Sequence, residues 1–343
     1  MIQEQTINQE QAQAEAQADI QNQTLADISQ VPGICVANAQ NLQAGTGCTV
    51  IVCPEGATGS VDVRGGAPAS RETDLLRPEE TVQVLHAVVL SGGSAFGLAA
   101  SCGVANELES RGIGLDVGVG KVPIVSSACL FDLACGDAGV RPDASMGAEA
   151  TRRALDEHGP LEQGNYGAGT GCTVGKFAGP SRAMKSGLGS SALRSGDLYV
   201  GAVSAVNACG NIVDPASGRP LAGMLDQTGT QIQSVEDLLI AQGGKAPLPR
   251  TNTTISCIVT NARLSKAEAT KLAQMSADAY AHAIRPTHTP NDGDTIFVMA
   301  TGQVEAPLMD ILGAMAVRSL EQAIANTALK AEGAYGLKAQ RDL

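Results

Sequence analysis

The sequence predicts an α/β protein whose sheets are covered by helices on their outer faces. Three observations carry this. Runs rich in β-branched residues alternate with amphipathic stretches, most cleanly after Asn252. Few of those runs read as fully buried parallel strands. Aromatics are 2% of the 343 residues and Trp is absent, while Gly reaches 40, so the core is built from Ala, Gly, Val and Leu in closely approaching layers.

The elements follow in order. Residues 1–30 hold nine Gln and no Gly or Pro, and read as a polar, transiently helical tail. From Val31 come short β-type runs, Gly33–Ala37, Thr49–Pro54 and Ser60–Val63. The apolar Thr81–Leu90 feeds Ser91-Gly92-Gly93-Ser94-Ala95-Phe96-Gly97, and a helix follows with Leu98, Cys102, Val104, Ala105 and Leu108 in phase and Gly112 as its stop. Val122–Leu133 reads as a strand pair or buried crossing, Ser145–His158 as a helix, and Asp197–Asp214 as a long β run turning at Cys209-Gly210-Asn211. Ser234–Ala241 is a short helix. Strand Thr253–Thr260 then leads to helix Ser265–Ile284, opened by a Ser265/Glu268 capping box. The turn Asn291–Asp294, strand Thr295–Ala300 and helix Pro307–Lys330 complete the pattern. One string, AGTGCTV, occurs twice, at Ala44–Val50 and Ala168–Val174, too short to establish a duplicated domain.

Bulk properties exclude several functions. A net charge of −12 argues against nucleic acid as a partner, because phosphate binding needs clustered Lys and Arg. No Lys or Arg precedes Arg64, so no secretory or transit peptide is expected, and no run of 18 apolar residues suggests a membrane span. The nine cysteines form no C-x-x-C pair and several sit in apolar runs, which fits free thiols in a reducing cytoplasm. His86, His158, His282 and His288 lack metal-ligand spacing, so neither a metal nor a cofactor is expected.

Thr251–Thr260 carries the sharpest chemical signal. A loop with Gly243, Gly244, Pro247 and Pro249 runs into Asn252, and a β-branched run begins at Thr253. A hydroxyl at a strand mouth after a strained loop suits attack on its own preceding carbonyl. That attack would divide the chain into 1–252 and 253–343. Thr253 would then hold a hydroxyl nucleophile and its own amine as base. The same residues also read as an ordinary turn-to-strand entry. Both readings stand at this point. Other motifs weigh less. Gly169–Phe177 fails as a phosphate loop, with Thr170 and Phe177 at required positions. Gly92-Gly93-Ser94-Ala95-Phe96 departs from a nucleophile elbow at Phe96, which leaves Ser94 a weak rival nucleophile. Its Gly-rich turn could aim N–H groups of Gly93 and Ser94 at a carboxylate or oxyanion. Asn291–Asp294 reads on spacing as a plain turn.

Taken together, Asn252–Ser256, His288–Thr295 and Gly169–Lys176 resemble one family: the self-processing N-terminal-nucleophile hydrolases that include L-aminopeptidase/D-amidase-esterases, β-peptidyl aminopeptidases and nylon-oligomer (6-aminohexanoate-oligomer) endohydrolases. Val61–Gly66, Ser91–Gly97 and Val122–Ser127 also resemble it, and the similarity runs in order from Val31 onward. The Asn-Thr junction and Asp-Gly-Asp turn are most similar to the nylon-oligomer branch. The resemblance implies a four-layer α/β/β/α sandwich, a single domain over 31–343 made of two interlocked fragments after autocleavage between Asn252 and Thr253. It implies Thr253 as nucleophile, Asp292 and Asp294 as residues that orient and tune it, Lys176 as an active-site cation, and Asn207 as a group holding oxyanion or substrate. It also implies a homo-oligomer of cleaved units, a tetramer.

The physics agrees with that placement. A free α-amine is a base only when neutral, so two carboxylates serve best by fixing geometry, with Lys176 offsetting their charge. One departure matters: Phe131 stands where the nylon-oligomer branch has Tyr, and Phe donates no hydrogen bond. The expected substrate is a small amide or peptide with a free amine, with Phe131 and Asp132 at the pocket wall and Asp132 either the amine's partner or a turn cap. Two functions stay open, an amidohydrolase or aminopeptidase working through an acyl-enzyme on Thr253, and an acyltransferase using the same Thr253.

Overall fold

The computed structural model describes residues 24–25, 27–243 and 251–343. Its main elements are β1 (Cys35–Asn41), β2 (Thr46–Val63), β3 (Leu85–Ser91), α1 (Ala100–Ser110), β4 (Val125–Cys129), α2 (Ala144–Asp156), β5 (Leu188–Ser195), β6 (Leu198–Asn207), α3 (Val235–Gln242), β7 (Thr253–Arg263), α4 (Lys266–Ser276), α5 (Asp278–Ala283), β8 (Thr295–Glu305) and α6 (Met309–Leu329). They hydrogen-bond in the order β5-β6-β7-β8-β2-β3-β4, with β1 also on β2. The pairs β7/β8 and β3/β4 are parallel and the rest antiparallel.

Strand β2 belongs to two sheets. Thr58–Val63 pair with β8, whereas Cys48–Val52 pair with β3, and the register breaks between Val52 and Ala57. Side-chain alternation then sorts the core into three strata. Ile258, Ile296 and Val298 face Leu312, Leu320 and Ile324 of α6. Cys257, Val259, Phe297 and Met299 face Ile51, Val88 and Leu90 between the sheets. Val50, Val52, Ala87 and Val89 face Val104 and Leu108 of α1 and Ala150 and Ala154 of α2. The expected four-layer α/β/β/α sandwich is what the chain forms. Each fully buried Leu or Ile in these strata contributes roughly 1.5–3 kcal/mol.

Close approach through small residues is real. A Cβ at Gly103 would lie 1.7 Å from the carbonyl oxygen of Ala144, and one at Gly147 would lie 2.0 Å from that of Ala100, so α1 and α2 cross backbone to backbone. The same feature explains a missed strand. In β5, Leu188–Ala192 lacks β-branched residues, yet a Cβ at Gly189 would lie 2.0 Å from the Ala323 oxygen of α6. Bulk was excluded there by the helix.

Other boundaries moved as well. The runs Thr49–Pro54 and Ser60–Val63 are one strand, and the helix expected over Ser265–Ile284 breaks at Ala277. Val122–Leu133 takes in the last residue of a short strand, Lys121–Val122, and then the fully buried β4, the buried crossing of the two readings. The core begins before Val31, because Ile28 is fully buried and Thr24–Leu25 pairs with β5. The tail residues 1–23 and 26 lie outside the described residues, as does most of the Gly/Pro loop before Asn252. Among the described residues no helix is long and apolar enough to cross a membrane.

Candidate active site

Strand direction alone gathers the site at one end of a sheet. Thr253 opens β7, and β8 runs parallel to it, so the turn Asn291–Asp294 before β8 arrives at the same end. Antiparallel β6 finishes there, with Asn207 opposite Thr253. Antiparallel β2 ends there too, at Val63. Residues far apart in sequence therefore share one edge.

The chain runs unbroken through Asn252-Thr253, and the hydroxyl of Thr253 donates to the Asn252 carbonyl oxygen at 2.5 Å. That oxygen also accepts from the backbone N–H of Gly293 at 3.0 Å. Gly293 is a glycine for a reason: a Cβ there would come within 2.9 Å of the Thr253 hydroxyl. Thr253 is 5% exposed, so the hydroxyl is largely shielded from water.

The two acidic residues take different tasks. Asp294 does not bond the Thr253 hydroxyl. Its Oδ1 accepts from the N–H of Thr254 at 2.7 Å, and its Oδ2 from the hydroxyl of Thr287 and from the N–H and Nδ1 of His288. Asp292 accepts from the Thr289 N–H at 2.6 Å through Oδ2, while its Oδ1 is buried with no hydrogen-bond partner among the described residues. Burial, then the charge of Asp294, pushes the Asp292 carboxyl up to about 6.

The turn is stitched to the loop after β2. Arg64 and Gly65 N–H groups donate to the Asp294 carbonyl and Ala67 N–H to that of Asp292. A Cβ at Gly65 would sit 2.2 Å from the Asp292 oxygen, which accounts for the glycine in the VDVRGG string.

Lys176 follows Gly175, whose φ of +72° and contact with Gly223 favour glycine. Its Nζ donates to the carbonyls of Asn207 at 2.7 Å and Thr251 at 2.6 Å. Burial lowers its pKa to about 8, against the opposing pull of Cys209, Cys172 and Asp292. The Asn207 amide donates to the carbonyls of Phe131 (2.7 Å) and Thr251 (3.2 Å), and its Oδ1 accepts from the N–H and hydroxyl of Thr173.

Beside Lys176 and Thr251 lies a cavity of about 540 Å³, walled by Phe131, Cys135, Pro180, Ala183, Tyr335 and Leu337 among others. Asp132 reaches its wall but is 3% exposed, with both oxygens engaged: Oδ2 accepts from the Thr46 hydroxyl (2.6 Å) and Oδ1 from the Gly93 N–H (2.7 Å). The Gly93 N–H is thus taken by Asp132 and that of Ser94 by the Leu130 carbonyl, and neither residue lines the cavity. Of the two partners the Gly-rich turn offered, a carboxylate or an oxyanion, the Gly93 N–H meets the carboxylate of Asp132.

Sequence reasoning gave no role to His288, Gly293, Thr173 or Tyr335. His288 stacks on Tyr280 with ring centroids 5.3 Å apart. Its position in the quoted His288–Thr295 string was the available signal. Tyr335, whose hydroxyl donates to the Leu42 carbonyl at 2.5 Å, had none.

The sandwich matches the fold of solved aminopeptidases, one of them described as a variant of the Ntn hydrolase fold. It superposes on a Burkholderia sp. beta-aminopeptidase (TM-score 0.65, 20% identity, 92% of this chain and 91% of that one). The L-aminopeptidase D-Ala-esterase/amidase of Ochrobactrum anthropi fits equally well (TM-score 0.65, 18% identity, 92% and 89%). The chain belongs to peptidase family S58, which it matches over residues 26–341. It is 38% identical to an uncharacterized aminopeptidase of Mycobacterium leprae over 340 residues, 90% of this chain and 92% of that one. It is 35% identical to the 6-aminohexanoate-oligomer endohydrolase of a Kocuria sp. over 280 residues, 80% and 75% of the two. The protein is a hydrolase acting on amide bonds, as the resemblance implied.

Proposed function

We infer that Thr253 is both the agent of self-cleavage and the nucleophile of the mature enzyme. The observation that carries this is the Thr253 hydroxyl against the Asn252 carbonyl, which the Gly293 N–H holds from a second direction. In maturation the hydroxyl oxygen bonds to the Asn252 carbonyl carbon. The Asn252–Thr253 C–N bond breaks, the nitrogen takes the proton and becomes the Thr253 α-amine, and water hydrolyses the resulting ester to free the Asn252 carboxylate. In turnover the α-amine receives the hydroxyl proton and passes it to the leaving amine. The acyl group stays on Thr253 as an ester until water releases it as acid. Gly293 N–H stabilises the oxyanion in both reactions.

Asp294 fixes the start of β7 through the Thr254 N–H. Lys176 offsets the charge of the acidic pair. The names of the relatives bracket two substrate kinds, peptides with a free amino end and interior amides of a 6-aminohexanoate oligomer. Acid-quenching the matured protein during turnover of a small amide should leave the acyl mass on fragment 253–343, with free acid as the product in water. An acyl mass on 1–252 instead, for example on Ser94, would refute the assignment. Acid that forms only when an amine acceptor is absent would point to the transferase.

A further inference from the structure

We propose that His288 is a positioning residue for the reaction: it closes a circuit of contacts that fixes Thr254, and through it the hydroxyl of Thr253. This rests on the Thr253 reading and deepens it, by naming what holds the nucleophile in place.

Asp294 reaches the nucleophile's strand through one bond, from the Thr254 N–H to Oδ1. The direction of that bond depends on how the other oxygen is tied. Oδ2 accepts from the Thr287 hydroxyl at 3.0 Å and twice from His288, from the backbone N–H at 3.0 Å and from Nδ1 at 2.9 Å. His288 aims both donors at one oxygen from a left-handed backbone, with φ of +56°. A residue with a β-carbon enters that region only at a cost, which the two bonds offset. The other ring nitrogen, Nε2, is buried and meets no partner among the described residues. A ring proton is therefore best placed on Nδ1, where it faces the carboxylate.

The imidazole also lies on the ring of Tyr280, with centroids 5.3 Å apart and planes 20° apart. Tyr280 is fully buried, and its hydroxyl lies 2.7 Å from that of Ser256 and 3.2 Å from the Thr254 carbonyl oxygen. Ser256 can donate to the phenol, which leaves the phenol proton for the Thr254 carbonyl. Thr254 is thus held from both sides, its N–H by Asp294 and its carbonyl by Tyr280. His288 joins those two holders, bonded to one and stacked on the other. The residue so clamped directly follows the nucleophile, where a displacement of ~1 Å costs on the order of 10²-fold in rate. His288 walls no part of the cavity, so its work is on the nucleophile and not on the substrate.

The left-handed backbone makes two substitutions informative. Glycine accepts that φ and offers no side-chain donor. Asparagine also tolerates it, and its amide N–H stands close to where Nδ1 does. His288→Gly should slow self-cleavage, followed by intact mass, by ~10²-fold. On a small amide the finished enzyme should lose kcat by a similar factor, with KM within about twofold of wild type. His288→Asn should recover at least ~10-fold of both losses, the scale of one hydrogen bond to a charged group. Equal rates in the two variants, or a loss carried in KM, would overturn the role of His288 and leave Thr253 as nucleophile. A wild-type chain that is never cut would overturn the Thr253 reading itself, and this role with it.

Discussion

The string AGTGCTV occurs twice and folds two ways. At Ala44–Val50 it is a tight turn running into β2, extended from Thr46. At Ala168–Val174 it closes a 3-10 turn over Gly167–Gly169, bends again at Gly171, and extends only at Thr173. The copies touch: the Ala168 N–H donates to the Thr49 hydroxyl, and a Cβ at Gly171 would lie 2.1 Å from the Gly45 oxygen. Each copy's second Thr meets an Asn, but to different ends. Thr49 donates to Asn38 within the β1–β2 pair, whereas Thr173 holds Asn207 at the candidate site. Partners across the fold, and not the seven residues, decide the conformation and the job.

The largest effect should come from Gly171→Ala. Its new Cβ meets backbone at 2.1 Å and the Asp132 Cβ at 2.6 Å, where nothing flexible yields. Overpacking of this kind costs ~3 kcal/mol or more, so a thermal melt should drop clearly and the cavity wall should be lost with it. An unchanged melt would mean that the two loops do not meet.

The threonine pair sharpens the contrast. Thr173→Val should slow maturation and turnover about tenfold, because Asn207 loses the hydroxyl but keeps the Thr173 N–H. Thr49→Val should leave rates alone and instead destabilise by ~1–3 kcal/mol, since Asn38 Oδ1 and the Ala168 N–H lose a buried partner. Denaturant titration and single-turnover rates separate the two. Interchanged phenotypes would erase the division of labour.

A smaller effect is expected in the pH profile. Asp292 becomes a carboxylate as pH rises through about 6, and Lys176 loses its proton as pH rises through about 8. If self-cleavage of the uncut chain, which has no free amine at Thr253, uses both charges, its rate climbs past 6 and declines past 8. Lys176→Met should remove the alkaline limb.

The sandwich was legible where alternation was strong, in β7, β8 and α6, and the capping box at Ser265 formed as written. It was illegible where packing against a neighbour set the residue. Strand β5 is small because α6 lies on it, and which carboxylate the Gly93 N–H meets, that of Asp132, is set by a residue 39 positions away. The residues the sequence offered for the site, Thr253, Asp292, Asp294, Lys176 and Asn207, were legible as a group, and they converge on one sheet end. Which of them touches which was not, since Asp294 grips Thr254 rather than the nucleophile. Contacts made through backbone N–H groups, Gly293 above all, leave no signature in side-chain type.

Intact mass of freshly purified, denatured protein tests the central claim most directly. The account predicts two fragments, residues 1–252 and 253–343, from the wild-type chain, and a single uncut chain from Thr253→Ala. A wild-type protein that stays whole while hydrolysing amides at full rate would contradict it.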